Sequence, residues 1–231
     1  SRRSRGRIEG TPLEQGAGLG SRHPADMPYL APRGPARFEQ EIKKSRFVGI
    51  ALPVSTPEDV ERELEKIRSE FPDATHHCWA YVLGDPDAGP RMRFDDAGEP
   101  PGTAGKPILH VLQRRKIGDA LVVVVRYFGG VKLGAGGLTR AYSAAASRVL
   151  EQADLATVTP RSSLLVRIDY EDEQTARRVL TRLGVDVLSA DYTDEVVLGV
   201  RATAEERARI VDEISEATRG RATFGPAMDA V

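Results

Sequence analysis

ALVVVVRYFGGVKLGAGGLTRAYSAAASRVLEQ, Ala120 to Gln152, carries a strand, a glycine-rich loop and a helix in one run. Ala120 to Phe128 reads as the strand. Within it Val122 to Val125 is β-branched and apolar at every position, so both faces must be covered, as in the centre of a sheet. Gly129 to Gly137 has five glycines in nine residues, which lets the backbone curl until amide N–H groups converge at the start of a helix from Leu138 to about Gln152. Anions bind at such helix starts. The loop is not a P-loop: Gly129 and Gly134 have the right separation, but Ala135 and Gly136 stand where Lys and Ser/Thr are required. Nor is it a dinucleotide fingerprint, since Thr139 replaces the third glycine. A tight strand-to-helix connection also needs glycines for packing alone. Lys132 and Arg140 favour phosphate binding, because cations beside exposed amides add little to packing and much to anion affinity. Gly136 is expected at positive φ or in close helix packing.

Upstream, DDAGEPPGTAGKP (Asp95 to Pro107) offers Asp95, Asp96 and Glu99 as hard oxygen ligands for magnesium, although such clusters are also ordinary turn vocabulary. Gly102 to Lys106 puts small residues, the Thr103 hydroxyl and the Lys106 cation at a helix start, a second turn able to face an anion. In THHCWAYV, Thr75 to Val82, strand alternation sets His77 with Trp79 on one face and His76 with Cys78 on the other. A Cys–His nucleophile pair is therefore possible only for His76 and Cys78, and with no Asn or Asp beside them Cys78 reads as a small buried hydrophobe. Arg46 to Val54 is a strand; Thr56, Pro57 and Asp59 start a helix with Val60, Leu64, Ile67 and Phe71 on one face, ended by Pro72. Arg126 closes the buried strand, where an acid such as Asp95 or Asp96 is its expected partner.

The 231 residues are 40% hydrophobic, 29% charged and 6% aromatic, the composition of a soluble globular protein. No stretch is apolar for the roughly 18 residues of a membrane span. One cysteine allows no internal disulfide, which points to a reducing, cytoplasmic setting. With 33 Lys+Arg against 34 Asp+Glu, a bulk electrostatic nucleic-acid binder is excluded, and any such contact must be local. Residues 1–37, with six Gly and five Pro, are expected to be disordered. A first domain is expected over 38–157 and a second over 158–231, joined by a linker from Asp154 to Pro160. The second reads βαββαβ: Ser163 to Asp169, Asp172 to Leu183, Val185 to Tyr192, Glu195 to Arg201, Ala204 to Ala217 and Ala222 to Ala227. That is the order of a ferredoxin-like fold.

THHCWAYV, DDAGEPPGTAGKP and RYFGGVKLGAGGLTRAY, in that order, closely resemble the signature segments of the Impact/YigZ family. The resemblance runs from about Phe38 to Leu155, and the βαββαβ tail resembles the extra domain of bacterial members. It implies an α/β plus α+β protein: a ribosomal-protein-like mixed-sheet domain covered by helices, then a ferredoxin-like domain similar to domains of elongation factor G. Eukaryotic relatives restrain a stress kinase acting on translation initiation and carry a further N-terminal recognition domain, which this chain is expected to lack. For bacterial members the resemblance implies a translation-linked, RNA-binding role. It highlights His77, Asp96, Glu99, Gly102, Thr103, Gly105, Arg126, Gly129, Gly130, Lys132, Gly134, Gly136, Gly137, Arg140 and Tyr142.

The expected function is that of a non-catalytic binding protein linked to translation, with no cofactor or metal, whose partner is RNA or a ribosome-associated protein. Arg126, Lys132 and Arg140 would hold phosphates with Gly129, Gly130, Gly134, Gly136 and Gly137, joined by Thr103 and Lys106. His77, Asp96, Glu99 and Tyr142 would support them, and Tyr127 or Phe128, if exposed, would stack a base. The alternative is an enzyme related in fold to small-molecule kinases, with KLGAGGLTRAYSAA as its nucleotide site and Asp96 or Glu99 holding magnesium. Those kinases place paired serines after the glycines, where this chain has Leu138, Thr139 and Arg140.

Overall fold

The computed structural model describes residues 27–87 and 91–226. The first sheet contains β2 (Ala36–Ile42), β3 (Ser45–Pro53), β4 (His76–Val82), β5 (Met92–Asp95) and β6 (Ala120–Tyr127), in the order β2-β3-β6-β4-β5. Every pairing in it is antiparallel. The expected mixed sheet is thus corrected. β3 and β4, joined through α1 (Pro57–Glu70), do run parallel to each other, but β6 lies between them and opposes both. β6 is also the reason for the valine run. Ala120, Val122 and Val124 enter one core with α2 (Gly105–Arg114) and α3 (Ala135–Gln152), while Leu121, Val123 and Val125 enter another with Val60, Leu64 and Ile67 of α1. Helices on both faces make an antiparallel sheet as apolar as a parallel one. α1 starts as its sequence dictates, with Thr56 and Asp59 closing a capping box.

β1 (Tyr29–Pro32) pairs with β7 (Leu155–Val158), antiparallel, from Tyr29↔Val158 to Pro32↔Leu155. Two expectations change here. Residues 27–37 are ordered rather than disordered, and Leu155–Val158 is a strand rather than free linker; residues 1–26 lie outside the described part. Averaging composition over 37 residues hides YLAP, whose backbone finds partners supplied from far along the chain. Leu30 N–H donates to Lys116 O (3.0 Å), Gly118 N–H to Leu30 O (2.8 Å), and the Tyr29 hydroxyl to Asp119 (2.6 Å). Burial and that carboxylate push the Tyr29 phenol above its usual range.

The second sheet holds β8 (Ser162–Ile168), β9 (Val187–Tyr192), β10 (Val196–Ala202) and β11 (Thr223–Pro226), in the order β11-β8-β10-β9 and antiparallel throughout. Leu164, Val166 and Ile168 alternate with solvent-facing neighbours and pack, with Leu198 and Val200, against α4 (Glu173–Arg182) and α5 (Ala204–Ala217) through Val179, Leu180, Ile210 and Ile214. Among the described residues no helix is long and apolar enough to cross a membrane.

A chain beginning at Ala36 loses β1, the buried Tyr29 side chain and the cover of β7. It should melt about 5 °C or more below a chain beginning at Met27. Thermal denaturation of the two forms checks this, and equal melting temperatures would show that β1 contributes nothing.

Candidate functional site

Arg126, the last charged residue of β6, is only 4% exposed. Its Nη1 lies 2.5 Å from Glu99 Oε1 and its Nη2 donates to Ser45 Oγ at 3.2 Å. The Tyr142 hydroxyl of α3 donates to the same Glu99 oxygen at 2.8 Å. Cys78 Sγ lies 3.3 Å from that hydroxyl and 3.0 Å from Asp96 O. The expected acid partners of Arg126, Asp95 and Asp96, are replaced by Glu99, and Arg126 is removed from the set of exposed phosphate cations. Register explains it. Arg126 has the parity of Val122 and Val124, so its side chain enters the α2–α3 core, where a guanidinium must meet a carboxylate.

The two glycine-rich turns have opposite fates. At the start of α2, Asp96 Oδ2 accepts Gly102 N–H (2.7 Å), and Oδ1 accepts the N–H groups of Ala104 (2.9 Å) and Gly105 (2.8 Å). The chain's own carboxylate fills that anion position. Thr103 is buried and donates to Pro100 O at 2.7 Å, so it is not an anion donor, and Lys106 is exposed beside an occupied turn. With Asp96 committed to amides and Glu99 to Arg126, the two do not converge on a magnesium site.

At the start of α3 nothing plays that part. The cap residue is Gly134 (φ 72°), the first turn has no acid, and the first helical bond is Leu138 N–H to Gly134 O at 2.9 Å. The amides of Ala135, Gly136 and Gly137 have no acceptor among the described residues. Lys132 and Arg140 are exposed, without hydrogen bond or ion pair among the described residues. Arg140 folds back over the turn, its Nη1 3.6 Å from where a Gly136 Cβ would sit. Gly136 itself is neither at positive φ nor tightly packed, against expectation. The demanding glycine is Gly129, where a Cβ would lie 1.8 Å from Lys44 O. Phe128 is exposed; Tyr127 is half-buried with the Arg46 guanidinium 5.2 Å from its ring centroid.

His77 points to the α1 side of the sheet, with Nε2 donating to Phe71 O (3.1 Å), and burial lowers its pKa. It is His76 that reaches the buried cluster: Nδ1 donates to Ala97 O at 2.9 Å and Nε2 faces Glu99 Oε1 at 3.9 Å. The strand parity of THHCWAYV, followed from buried Cys78, was the signal that distinguishes the two. Cys78 is no nucleophile: burial pushes its thiol up to about 12, so it is protonated at neutral pH. Burial, and then the neighbouring thiol and carboxylate, likewise raise the Tyr142 phenol.

A helix-covered antiparallel sheet whose glycine-rich loop is locked to a buried Arg–Glu pair occupies the segment, residues 43–150, that matches the Impact N-terminal domain; residues 166–221 match a domain of unknown function, DUF1949. IMPACT family member YigZ of Escherichia coli is 35% identical over 192 residues, 83% of this chain and 94% of that protein. The chain belongs to the IMPACT family. Protein IMPACT of Oryctolagus cuniculus is 33% identical over 95 residues, 40% of this chain but 29% of that protein. A solved structure described as that of a hypothetical protein superposes with a TM-score of 0.67 at 33% identity, covering 88% of this chain and 98% of its own.

Two outcomes follow from this geometry. Gly129→Ala should lower the melting temperature by several degrees, since Lys44 backbone must move, whereas Gly136→Ala should leave it unchanged or raise it slightly, since alanine is favoured over glycine in a helix by roughly 0.5–1 kcal/mol. Matched destabilisation in both would contradict the assignment. Native protein at pH 8 should resist alkylation of Cys78 by iodoacetamide while unfolded protein reacts. With the folded thiol near 12 and an ordinary thiol near 9, the unfolded chain ionises first, so stability falls as pH rises above about 9.

Proposed function

We propose that this chain is a non-catalytic RNA-binding protein linked to translation or its regulation, taking RNA phosphate at the start of α3. The observation that carries the reading is a contrast among helix starts. α1 and α5 have capping boxes, α2 has the Asp96 carboxylate, and α4 is entered through a 3-10 turn rich in acid (Glu171, Asp172, Glu173). Among the described residues only α3, 18 residues long, opens with bare amides, no acid and two unpaired cations. A phosphate oxygen supplies what α1, α2 and α5 take from side chains of the protein itself. The link to translation rests on family membership, and the single cysteine fits a cytoplasmic location. The kinase-like alternative is less well supported, because it needs Asp96 or Glu99 free for a metal.

The order β11-β8-β10-β9 supports reading the second unit, 158–231, as ferredoxin-like, and family membership supports reading the first, 38–157, as the ribosomal-protein-like unit.

Lys132→Ala and Arg140→Ala should each weaken binding of mixed-sequence RNA and reduce its salt slope by about 0.7 to 0.9 per lost phosphate contact, with little change in melting temperature. Arg126→Ala should instead cost about 3–5 kcal/mol of stability by leaving Glu99 buried and unpaired. Fluorescence anisotropy across a salt series, with thermal melts, measures both. Unchanged RNA affinity in the Lys132 and Arg140 variants would overturn the phosphate reading.

A further inference from the structure

Lys43 and Lys44 make the two-residue turn between β2 and β3, and both stand at positive φ, 48° and 64°. Hairpin turns of this geometry favour glycine and asparagine, and each lysine is held there at a conformational penalty. Both are exposed, with no hydrogen bond or ion pair from their side chains among the described residues. The turn adjoins the glycine-rich loop: Lys44 O occupies the space a Gly129 Cβ would need, and Gly129 N–H donates to Ser45 Oγ at 3.2 Å. Two unpaired cations therefore sit in strained backbone against the loop that carries Lys132.

Phe128, the residue before Gly129, is 47% exposed. The Arg126 guanidinium lies 5.4 Å from its ring centroid and 5.4 Å from that of Phe47, and is itself fixed by Glu99. The ring is thus anchored by a buried cation while nearly half of it meets water. An aromatic held rigid and exposed, flanked by cations on two loops, has the chemistry of a base-stacking platform.

We infer that this end of the first sheet takes a single-stranded nucleic acid, with an unstacked base on Phe128 and the adjoining phosphates between the Lys43–Lys44 turn and Lys132 with Arg140. The inference rests on the phosphate reading and narrows it. A duplex keeps its bases stacked inside, so it can reach the cations but not the ring.

The test uses the full chain and three labelled ligands of one mixed sequence, a single-stranded RNA, a single-stranded DNA and the RNA duplex, at low salt. Single strands should bind at least tenfold more tightly than the duplex. Binding of both strands supports the platform; binding of the RNA strand alone supports it and assigns RNA. Phe128→Ala should weaken single-strand binding about 5- to 150-fold, the range of base–aromatic stacking, and leave the duplex unchanged. Phe128→Leu, which keeps apolar cover over Arg126 without a ring, should do the same. The double variant Lys43→Gly, Lys44→Gly should weaken all three ligands yet raise the melting temperature by about 2 °C or more, as the turn loses its strain. Equal affinity for strand and duplex, or full affinity in both Phe128 variants, overturns the platform while the phosphate reading stands. No saturable binding of any ligand overturns both.

Discussion

A guanidinium and a carboxylate withdrawn from water each lose several kcal/mol of hydration, and the Arg126–Glu99 pair offsets that loss only with the bonds its neighbours add, Arg126 Nε alone of the guanidinium nitrogens being buried without a partner among the described residues. Glu99 Oε1 accepts from Arg126 and Tyr142, and Ser45 Oγ accepts from both Arg126 and Gly129. Through these bonds one ion pair ties the end of β6, the start of β3, the Asp95–Pro107 segment and α3 together. The glycine-rich loop leaves the sheet directly beyond Arg126, so its course depends on the pair. The charge of Arg126 serves the frame, and the cations left to meet a ligand are those on the loops around it.

That frame separates two turns that look alike in composition. Both are glycine-rich, both begin helices and both carry a nearby lysine. Asp96 lies close enough to turn its carboxylate into the amides at the start of α2, and the left-handed backbone at Ala97 (φ 44°), Gly98 (φ 87°) and Gly102 (φ 76°) is what lets the chain double back to do so, with a conformational cost at Ala97 alone. The first turn of α3 holds no acid, and among the described residues no side chain caps it. Anion affinity at a helix start therefore depends less on glycine content than on whether the chain supplies its own counter-charge.

Local signals were legible wherever the deciding contact is near in sequence. The valine run gave β6, the Thr56–Asp59 spacing gave α1, and alternation gave the βαββαβ order, while three segments in sequence pointed to the family. Contacts that join distant residues were not legible. β1 and β7 are separated by more than a hundred residues and each is too short to show a pattern. Arg126 reads both as a phosphate cation and as the partner of Asp95 or Asp96, and only β6 register, which turns it inward to an acid 27 positions away, selects Glu99. His76 and His77 differ only by parity, and parity needs a reference; the burial of Cys78 supplies it. The strained lysine pair at 43 and 44 carries no sequence signal at all, because lysine is not a turn residue for that geometry.

The amide resonances of the two helix starts distinguish these accounts directly. In a titration of ¹⁵N-labelled protein with a short mixed-sequence single-stranded RNA, followed by two-dimensional ¹H–¹⁵N NMR, the resonances of Ala135, Gly136 and Gly137 should shift saturably. Those of Gly102, Ala104 and Gly105, already bonded to Asp96, should stay in place. Saturable shifts confined to 102–105, or none at 135–137 while RNA binds elsewhere, would contradict the claim that α3 presents the open phosphate site.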